Sequence, residues 1–522
     1  MAKGKRVAVV GCGPLGLVSL KNCLEEGFDA HAFESSDYVG GLWHYTTEDK
    51  TSVLPSTIVN ISKERGCFTD FPFPADSPSL CPAIEVQKYL ESYADHFNLR
   101  PHISFNTKVT RVQRDEKADK WIIKVEGSAD EAFDRVIMAT GLHRTPNYPR
   151  IEGIELFAGR QIHSKSFKSP KAFHGQNVLV VGLGNTGADT AVSLIGKANK
   201  IYSSHRHGTV IIPRTKNGRS IDHSVNFRFM TIQRILERRV PKLAEGLYED
   251  FVKKLQNEAF EIRPEWRLSP APSLKTTPPI ISDTIVQAYA SGDVESVPGI
   301  RRVAGPKEIE LDDGRIVEVD AMIYCTGYNP DFSMLDPKAD PTSRPPTRWR
   351  KARGSRGKPY LRLYQNVLSV KYPESLAFMG CVALSAGAFQ IFDLASMAVV
   401  QLWKGGSPLP HRGEIEREVA DHEDWIVGLA QKESVHAQMV QGHSWLEWAD
   451  RTAGCGVNEY LGWGWEGWRF FLQEPELCGL LMGGLYSPHI YRFFDGKRKK
   501  WDGAREEIER VNRTPCVKRK EE

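Results

Sequence analysis

Cysteine is scarce and never paired. The nine cysteines stand singly, with no C-x-x-C and no metal-ligand spacing; Cys12 and Cys23, flanking a helix, come nearest to a couple. A disulfide framework, a dithiol redox centre and a cysteine-held metal are thereby not expected, and an odd, scattered count suits a reducing compartment. Long apolar runs are missing too. The most apolar window, Leu376 to Phe389, falls short of the ~20 residues a bilayer-spanning helix needs, and Gln390 and Asp393 then interrupt it. Charge of one sign is not in excess: a formal +4 over 522 residues leaves no electrostatic case for a nucleic-acid partner. No Ser-His-Asp order, G-x-S-x-G or H-E-x-x-H occurs, which removes the common nucleophilic and zinc hydrolases. Met-Ala-Lys-Gly-Lys-Arg6 has no apolar signal core and Val517–Glu522 is a polar tail, so a cytoplasmic protein without a membrane anchor is expected.

What the chain does have is length and two glycine-rich turns. At 522 residues it exceeds the usual single-domain range, so two or three domains with a large core are expected. Val7-Ala-Val-Val-Gly-Cys-Gly-Pro-Leu-Gly16 and Asn177-Val-Leu-Val-Val-Gly-Leu-Gly-Asn-Thr-Gly187 are each an apolar strand feeding a G-x-G-x-x-G turn. A helix follows each, with Leu17, Leu20 and Leu24 on one face of the first and Ala188, Ala191, Val192 and Ile195 on one face of the second. Such a strand, glycine turn and helix lays a pyrophosphate on a helix N-terminus. One such turn is weak evidence. Two in one chain predict two nucleotide cofactors placed face to face.

The strand ends that follow differ in charge. Glu34 closes the second strand of the first unit, 18 residues after Gly16, where an acid accepts hydrogen bonds from an adenosine ribose and repels a 2′-phosphate. In the second unit, Lys200-Ile-Tyr-Ser-Ser204 leads into His205-Arg206-His207, and Arg206 suits a 2′-phosphate, which favours NADPH over NADH. Phe133–Gly141 and Asp320–Tyr328 are buried strands, each running into a Thr-Gly turn (Thr140-Gly141 and Thr326-Gly327). They bracket the second unit, so it is expected to be inserted into the first: residues 1–165 plus 321–522 against 166–320.

Other stretches speak less clearly. Gly40-Gly-Leu-Trp43 lets backbone approach a ligand, with Trp43 available to cover a ring system. A helix is expected over Ile84–His96 and strands over Phe105–Glu126, the latter including Val109. Residues 226–300 read as helical and proline-interrupted. Pro341–Pro359, with seven Arg or Lys and no acid, reads as a solvated loop, anion steering being the second reading. Ser375–Gly380 reads as a buried strand before a helix starting near Gly387, whose positive end suits the anionic pyrimidine of a reduced flavin. Trp445, Trp448, Trp463, Trp465 and Trp468 are expected in core or lid packing.

Together these motifs resemble the flavin-containing monooxygenases (class B flavoprotein monooxygenases) over nearly the whole chain. That family's F-x-G-x-x-x-H-x-x-x-(F/Y) is met by Phe157, Gly159, His163 and Phe167. The related Baeyer–Villiger enzymes carry Trp at the last position. The resemblance implies an α/β fold with two Rossmann-like nucleotide-binding domains (disulfide-reductase-like), the NADP domain inserted into the FAD domain. It implies an FAD site at Gly11, Cys12, Gly13, Pro14, Leu15 and Gly16, with Glu34, Gly41, Leu42, Trp43, Val109, Thr140 and Gly141. It implies an NADPH site at Gly182, Gly184, Asn185, Thr186, Gly187, Ala188 and Asp189, with Arg206. Asn60, in Asn-x-Ser-Lys-Glu ahead of Cys67-Phe-Thr-Asp-Phe-Pro-Phe-Pro74, falls where the family has its active-site asparagine. Ser487-Pro488, Tyr491-Arg492 and Lys500–Arg505 resemble its C-terminal region. His207 stands where a second arginine often lies, and the family's F-A-T-G-Y becomes Tyr324-Cys-Thr-Gly-Tyr328.

The implied reaction passes hydride from NADPH to FAD, whose reduced form takes oxygen at carbon 4a as a hydroperoxide. A soft nucleophile, amine nitrogen or sulfur, then removes the distal oxygen. The partners are a small-molecule substrate and O2; self-association is left open. His163 and Phe167 are read as governing how the two domains meet. Baeyer–Villiger oxygenation of a ketone, a non-oxygenating NADPH–flavin oxidoreductase and a silent NADP-sensing protein are the alternatives. The missing redox cysteine pair speaks against a disulfide reductase.

Overall fold

The computed structural model describes residues 4–513, and its architecture grows from the two glycine-turn units. Val7–Val10 is an apolar, mostly β-branched run buried on both faces, as the centre of a parallel sheet requires. It pairs in parallel with Asp29–Phe33 and with Arg135–Met138. Ile103–Ser104 and Leu376–Phe378 extend the two sides in parallel, and the short antiparallel strands Leu368–Ser369 and Leu363–Tyr364 complete a seven-stranded sheet. Helix Pro14–Glu25 packs between this sheet and helix Ala388–Lys404, which is buried along almost its whole length.

The second sheet has five parallel strands in the order Glu295–Val297, Lys200–Ser204, Asn177–Val181, Ala321–Tyr324, Arg160–His163. Helix Asn185–Ser193 follows its central strand. The boundaries expected at 165/166 and 320/321 assign Arg160–His163 and Ala321–Tyr324 to the first unit. Both pair in the second sheet instead: Ala321–Tyr324 is wholly buried in register with Val178–Val181, and Arg160–His163 covers its other edge. The chain passes between the sheets twice. The two crossings lie side by side, Thr145–Pro146 pairing antiparallel with Tyr328–Asn329.

Three other expectations are corrected. Residues 226–300 hold helices Phe227–Arg239 and Pro241–Ala259, but then strands Ile280–Ile281 and Glu295–Val297 around helix Ile285–Ser291, because both strands are drawn into parallel pairing. Pro341–Pro359 is not simply a solvated loop: Thr347–Lys351 is helical and Trp349 is fully buried beside Tyr360. Trp445 and Trp448 are core, whereas Trp463, Trp465 and Trp468 are 78%, 79% and 51% exposed. Helix Trp465–Gln473 turns Gly467 and Phe470 inward, which leaves Trp465 and Trp468 facing out.

Under helix Pro14–Glu25 lies a buried ionic network. Lys21 pairs with Asp70 and, at 2.9 Å, with Glu25; Arg492 reaches Glu25 at 2.8 Å and Asn22 Oδ1 at 2.7 Å. Asp393 accepts from the Thr69 N–H at 2.9 Å and from Asn22 Nδ2 at 2.9 Å. Among the described residues no helix is long and apolar enough to cross a membrane, and no cluster of metal-ligating side chains occurs. The polar tail Val517–Glu522 lies outside the described residues.

Candidate active site

Both glycine turns open on one cavity of about 3870 Å³. A site for one small ligand spans ~300–1,000 Å³, so this space suits two dinucleotides and a substrate together. In the first turn Gly11 has φ +102° and would place a Cβ 2.7 Å from the Ala139 carbonyl oxygen; a Cβ on Gly16 would lie 1.7 Å from Gly11 O. The second turn repeats this: Gly182 has φ +103°, and a Cβ on Gly187 would lie 2.0 Å from Gly182 O. Backbone packing thus demands glycine at the first and third positions of each turn.

The middle glycines differ. A Cβ on Gly184 would meet nothing within 4 Å, and one on Gly13 would meet only Gly41, at 3.6 Å. The space in front of them belongs to the cavity. Neither following helix has a side-chain cap at its N-terminus, so its first N–H groups stay available to an anion. A diphosphate fits both cradles.

Glu34 is fixed at the rim of the first cradle. Its Oε2 accepts from the Cys12 N–H at 2.8 Å and its Oε1 from the Ser36 N–H at 2.9 Å, which orients the carboxylate beside the turn. Gly11, Gly13, Pro14 and Leu15 line the cavity with Glu34, and so do Gly41, Leu42, Trp43, Val109, Thr140 and Gly141. From the second unit Gly182, Gly184, Asn185, Thr186, Asp189 and Arg206 line it. Cys12, Gly16, Gly187 and Ala188 do not: Cys12 and Ala188 are fully buried and the two glycines pack beneath their turns. Asn185 turns its Oδ1 to the Ile281 N–H at 2.9 Å, tying its turn to the next loop. Burial raises the Asp189 carboxyl above its usual pKa despite nearby Arg214.

Asn60 lines the same cavity, and its Oδ1 is buried without a hydrogen-bond partner. An unsatisfied buried acceptor costs ~1–3 kcal/mol, which marks it as a group awaiting a donor. The loop that carries it is strapped to the second unit. Asp222 accepts from the Ser62 N–H at 2.9 Å and its carbonyl from Arg65 Nη1 at 3.0 Å, while Glu64 faces His223 at 3.2 Å. Burial alone would raise Glu64; hydrogen bonds from His223 and Ser79 outweigh it and hold its pKa at about 2. Lys63 is spent on three carbonyls, those of Pro74, Ala75 and Ser77. Sequence reading passed over Asp222 and His223, because nothing in Ile-Asp-His-Ser announces a partner some 160 positions away.

His163 is buried; its Nδ1 accepts from the Lys165 N–H at 3.1 Å, so Nε2–H donates to the Gly327 carbonyl at 3.0 Å. Burial holds its pKa below the usual histidine value. It pins one crossing strand and lies outside the cavity lining. Phe157 explains its neighbour: a Cβ on Gly159 would lie 2.5 Å from the Phe157 ring.

A family model described as flavin-binding monooxygenase-like matches residues 4–517. The chain belongs to this family. The monooxygenase is 43% identical over 511 residues to monooxygenase aurF of Gibberella zeae, covering 97% of each chain. Among solved structures it is similar to the S-allyl-L-cysteine S-oxygenase of Allium sativum (TM-score 0.62, 20% identity, 97% of this chain and 99% of that one). It is also similar to NADP+-bound cyclohexanone monooxygenase from Rhodococcus sp. Phi1 (TM-score 0.61, 18% identity, 88% and 99%). At those identities the two structures speak to the fold, which is the two-unit Rossmann-like architecture described above. The monooxygenase is a flavin-dependent oxidoreductase.

Proposed function

We propose that this monooxygenase transfers one oxygen atom to a soft nucleophile, an amine nitrogen or a thioether sulfur, of a small molecule. In this reading FAD lies over Gly11 and Gly13 with Glu34 on its adenosine ribose. Gly41, Leu42, Trp43, Val109, Thr140 and Gly141 complete that cradle. NADPH lies over Gly182 and Gly184, beside Thr186 and Asp189, with Arg206 on the 2′-phosphate. Oxygen activation is the chemistry supplied by bound, reduced flavin; the protein's share is orientation and exclusion of water.

The observation that carries the reading is Asn60, half-buried on the wall of the cavity that both glycine turns share, with its Oδ1 buried and unpartnered. An amide holds a ligand by hydrogen bonds and moves no proton, which suits a transfer needing no acid–base pair. Helix Ala388–Lys404 begins at the cavity with no side-chain cap, so its positive end is free to face an anionic ring. Phe167, in place of the Trp of ketone oxygenases, favours nitrogen or sulfur over a carbonyl substrate.

The test is a panel of thioethers, tertiary amines and ketones, with NADPH consumption matched to product mass. Sulfoxide or N-oxide in near-stoichiometric yield is expected. Ester formation from the ketones alone would replace this reading with a Baeyer–Villiger one, and NADPH oxidation without any oxygenated product would leave only an NADPH–flavin oxidoreductase.

A further inference from the structure

The basic stretch before Tyr360 holds cations that the two-cradle reading leaves unused. It is a built segment. Trp349 is fully buried and its Nε1–H donates to the Lys358 carbonyl at 2.8 Å. A Cβ on Gly354 would lie 1.6 Å from the Glu433 carbonyl oxygen, and the Gly354 carbonyl accepts from the Val435 N–H at 3.1 Å. Arg356 sits in the left-handed region at φ 50°, a conformation that costs a non-glycine residue free energy. Trp349 and Tyr360 belong to the core of the seven-stranded sheet, so the segment moves with the flavin unit.

From that anchor Arg353, Arg356 and Lys358 line the cavity together with Arg206 and His207 of the other unit. Among the described residues none of Arg206, Arg353, Arg356 and Lys358 makes an ion pair or a side-chain hydrogen bond, although many other arginines of the chain do. Asp312 lies near the Arg206 stem at Gly299 without closing a pair. The cations feel one another: burial lowers the Arg356 pKa and Arg206 lowers it further. His207 is lowered by burial and then by Arg356, Arg206 and Arg353, and His436 is pushed to about 4 by burial and by Lys358 and Arg356. Like charges drawn from two units onto one cavity wall, without a counter-ion, oppose each other until a multiply charged anion separates them.

We propose that Arg353 and Arg356, carried by the flavin unit, bind the adenosine 2′-phosphate of NADPH jointly with Arg206 of the second unit, so that the phosphate ties the two units together. This rests on the NADPH reading of the second cradle. It also accounts for His207: the second cation missing from that strand end is supplied from elsewhere in the chain.

The experiment uses the FAD-loaded full chain and measures dissociation constants of NADP+, NAD+ and 2′,5′-ADP by fluorescence titration. The variants are Arg353→Gln, Arg356→Asn (asparagine tolerates the left-handed turn) and Arg206→Gln, with melting temperature and FAD content as folding controls. Loss of one charge-assisted contact predicts roughly tenfold or more weaker NADP+ and 2′,5′-ADP binding in each variant, NAD+ binding unchanged, and a flatter salt dependence. If only Arg206→Gln lowers the preference for NADP+ over NAD+, the shared clamp is overturned while the NADPH reading stands. If the unmodified protein shows no such preference, the NADPH reading itself fails. Equal weakening of NADP+ and NAD+ by Arg353→Gln and Arg356→Asn would assign them a general structural role and overturn the proposal.

Discussion

Gly184→Ala separates what glycine does for the fold from what it does for the ligand. The backbone at Gly184 is extended, φ −131° and ψ −172°, and a Cβ there meets nothing within 4 Å. Without ligand the substitution is therefore tolerated, and restricting the unfolded chain is worth about 0.4–1 kcal/mol in its favour. With ligand the methyl occupies the space a diphosphate needs. Displacing the diphosphate from one charge-assisted N–H contact costs ~1.5–3 kcal/mol, a rise of roughly 10- to 150-fold in the dissociation constant. Gly187→Ala makes the opposite comparison, since its Cβ would lie 2.0 Å from the Gly182 carbonyl oxygen. The turn must shift, at a cost of ~1–3 kcal/mol or more. Thermal melting with and without NADP+, together with NADP+ titration, reads both. Gly184→Ala is expected to melt at or above the parent temperature, keep its FAD and lose the NADP+-induced rise; Gly187→Ala is expected to melt early. Parental NADP+ affinity in Gly184→Ala would refute the placement of the diphosphate over this turn.

Three further outcomes are expected. Asn60→Ala removes a buried orphan acceptor, so the melting temperature holds or rises while oxygenated product per NADPH falls roughly 10²-fold in favour of hydrogen peroxide; unchanged product yield would remove Asn60 from the site. Asp222→Ala frees the Ser62 N–H and hydroxyl and removes the carboxylate 4.0 Å from Arg65, while the carbonyl that Arg65 also holds remains, so FAD content is retained while more peroxide leaks per NADPH consumed; full coupling would show that the strap is idle. Burial alone would raise the Asp70 carboxyl, but Lys21 and Arg492 outweigh it and hold its pKa at about 2, below the unfolded value of ~3.9. Its contribution to stability is therefore complete above about pH 4 and lost as the pH falls towards 2. Asp70→Asn strands the paired cations and is expected to cost ~3–5 kcal/mol in urea unfolding at pH 7, with the gap to the parent closing between about pH 4 and 2; a gap independent of pH would refute this.

The parts legible in the sequence were those written in local spacing. Each G-x-G-x-x-G, its apolar strand and the charge at the next strand end lie within some thirty residues, so Glu34 and Arg206 could be placed before any fold was known. Glycine at Gly11 and Gly182 announces a backbone need that the positive φ angles then meet. Pairing between distant segments left no such trace. Ala321–Tyr324 and Arg160–His163 look like strands, yet which sheet they join depends on neighbours far along the chain. The Asp222 strap and the anchoring of Gly354 against Glu433 are contacts of the same kind. For the tryptophans, composition says nothing about direction: Trp445 and Trp465 differ in the face of the helix they occupy.

The ribbon formed by Thr145–Pro146 and Tyr328–Asn329 has a consequence for how such chains diversify. A segment whose entry and exit adjoin burdens its host no more than a surface hairpin does, and insertions of that sort are well tolerated. The unit built on the second sheet is thus a cassette, exchangeable without re-threading the first sheet. Beyond that ribbon the units are held by side-chain ties such as Asp222 to Ser62, which any exchanged cassette would have to keep.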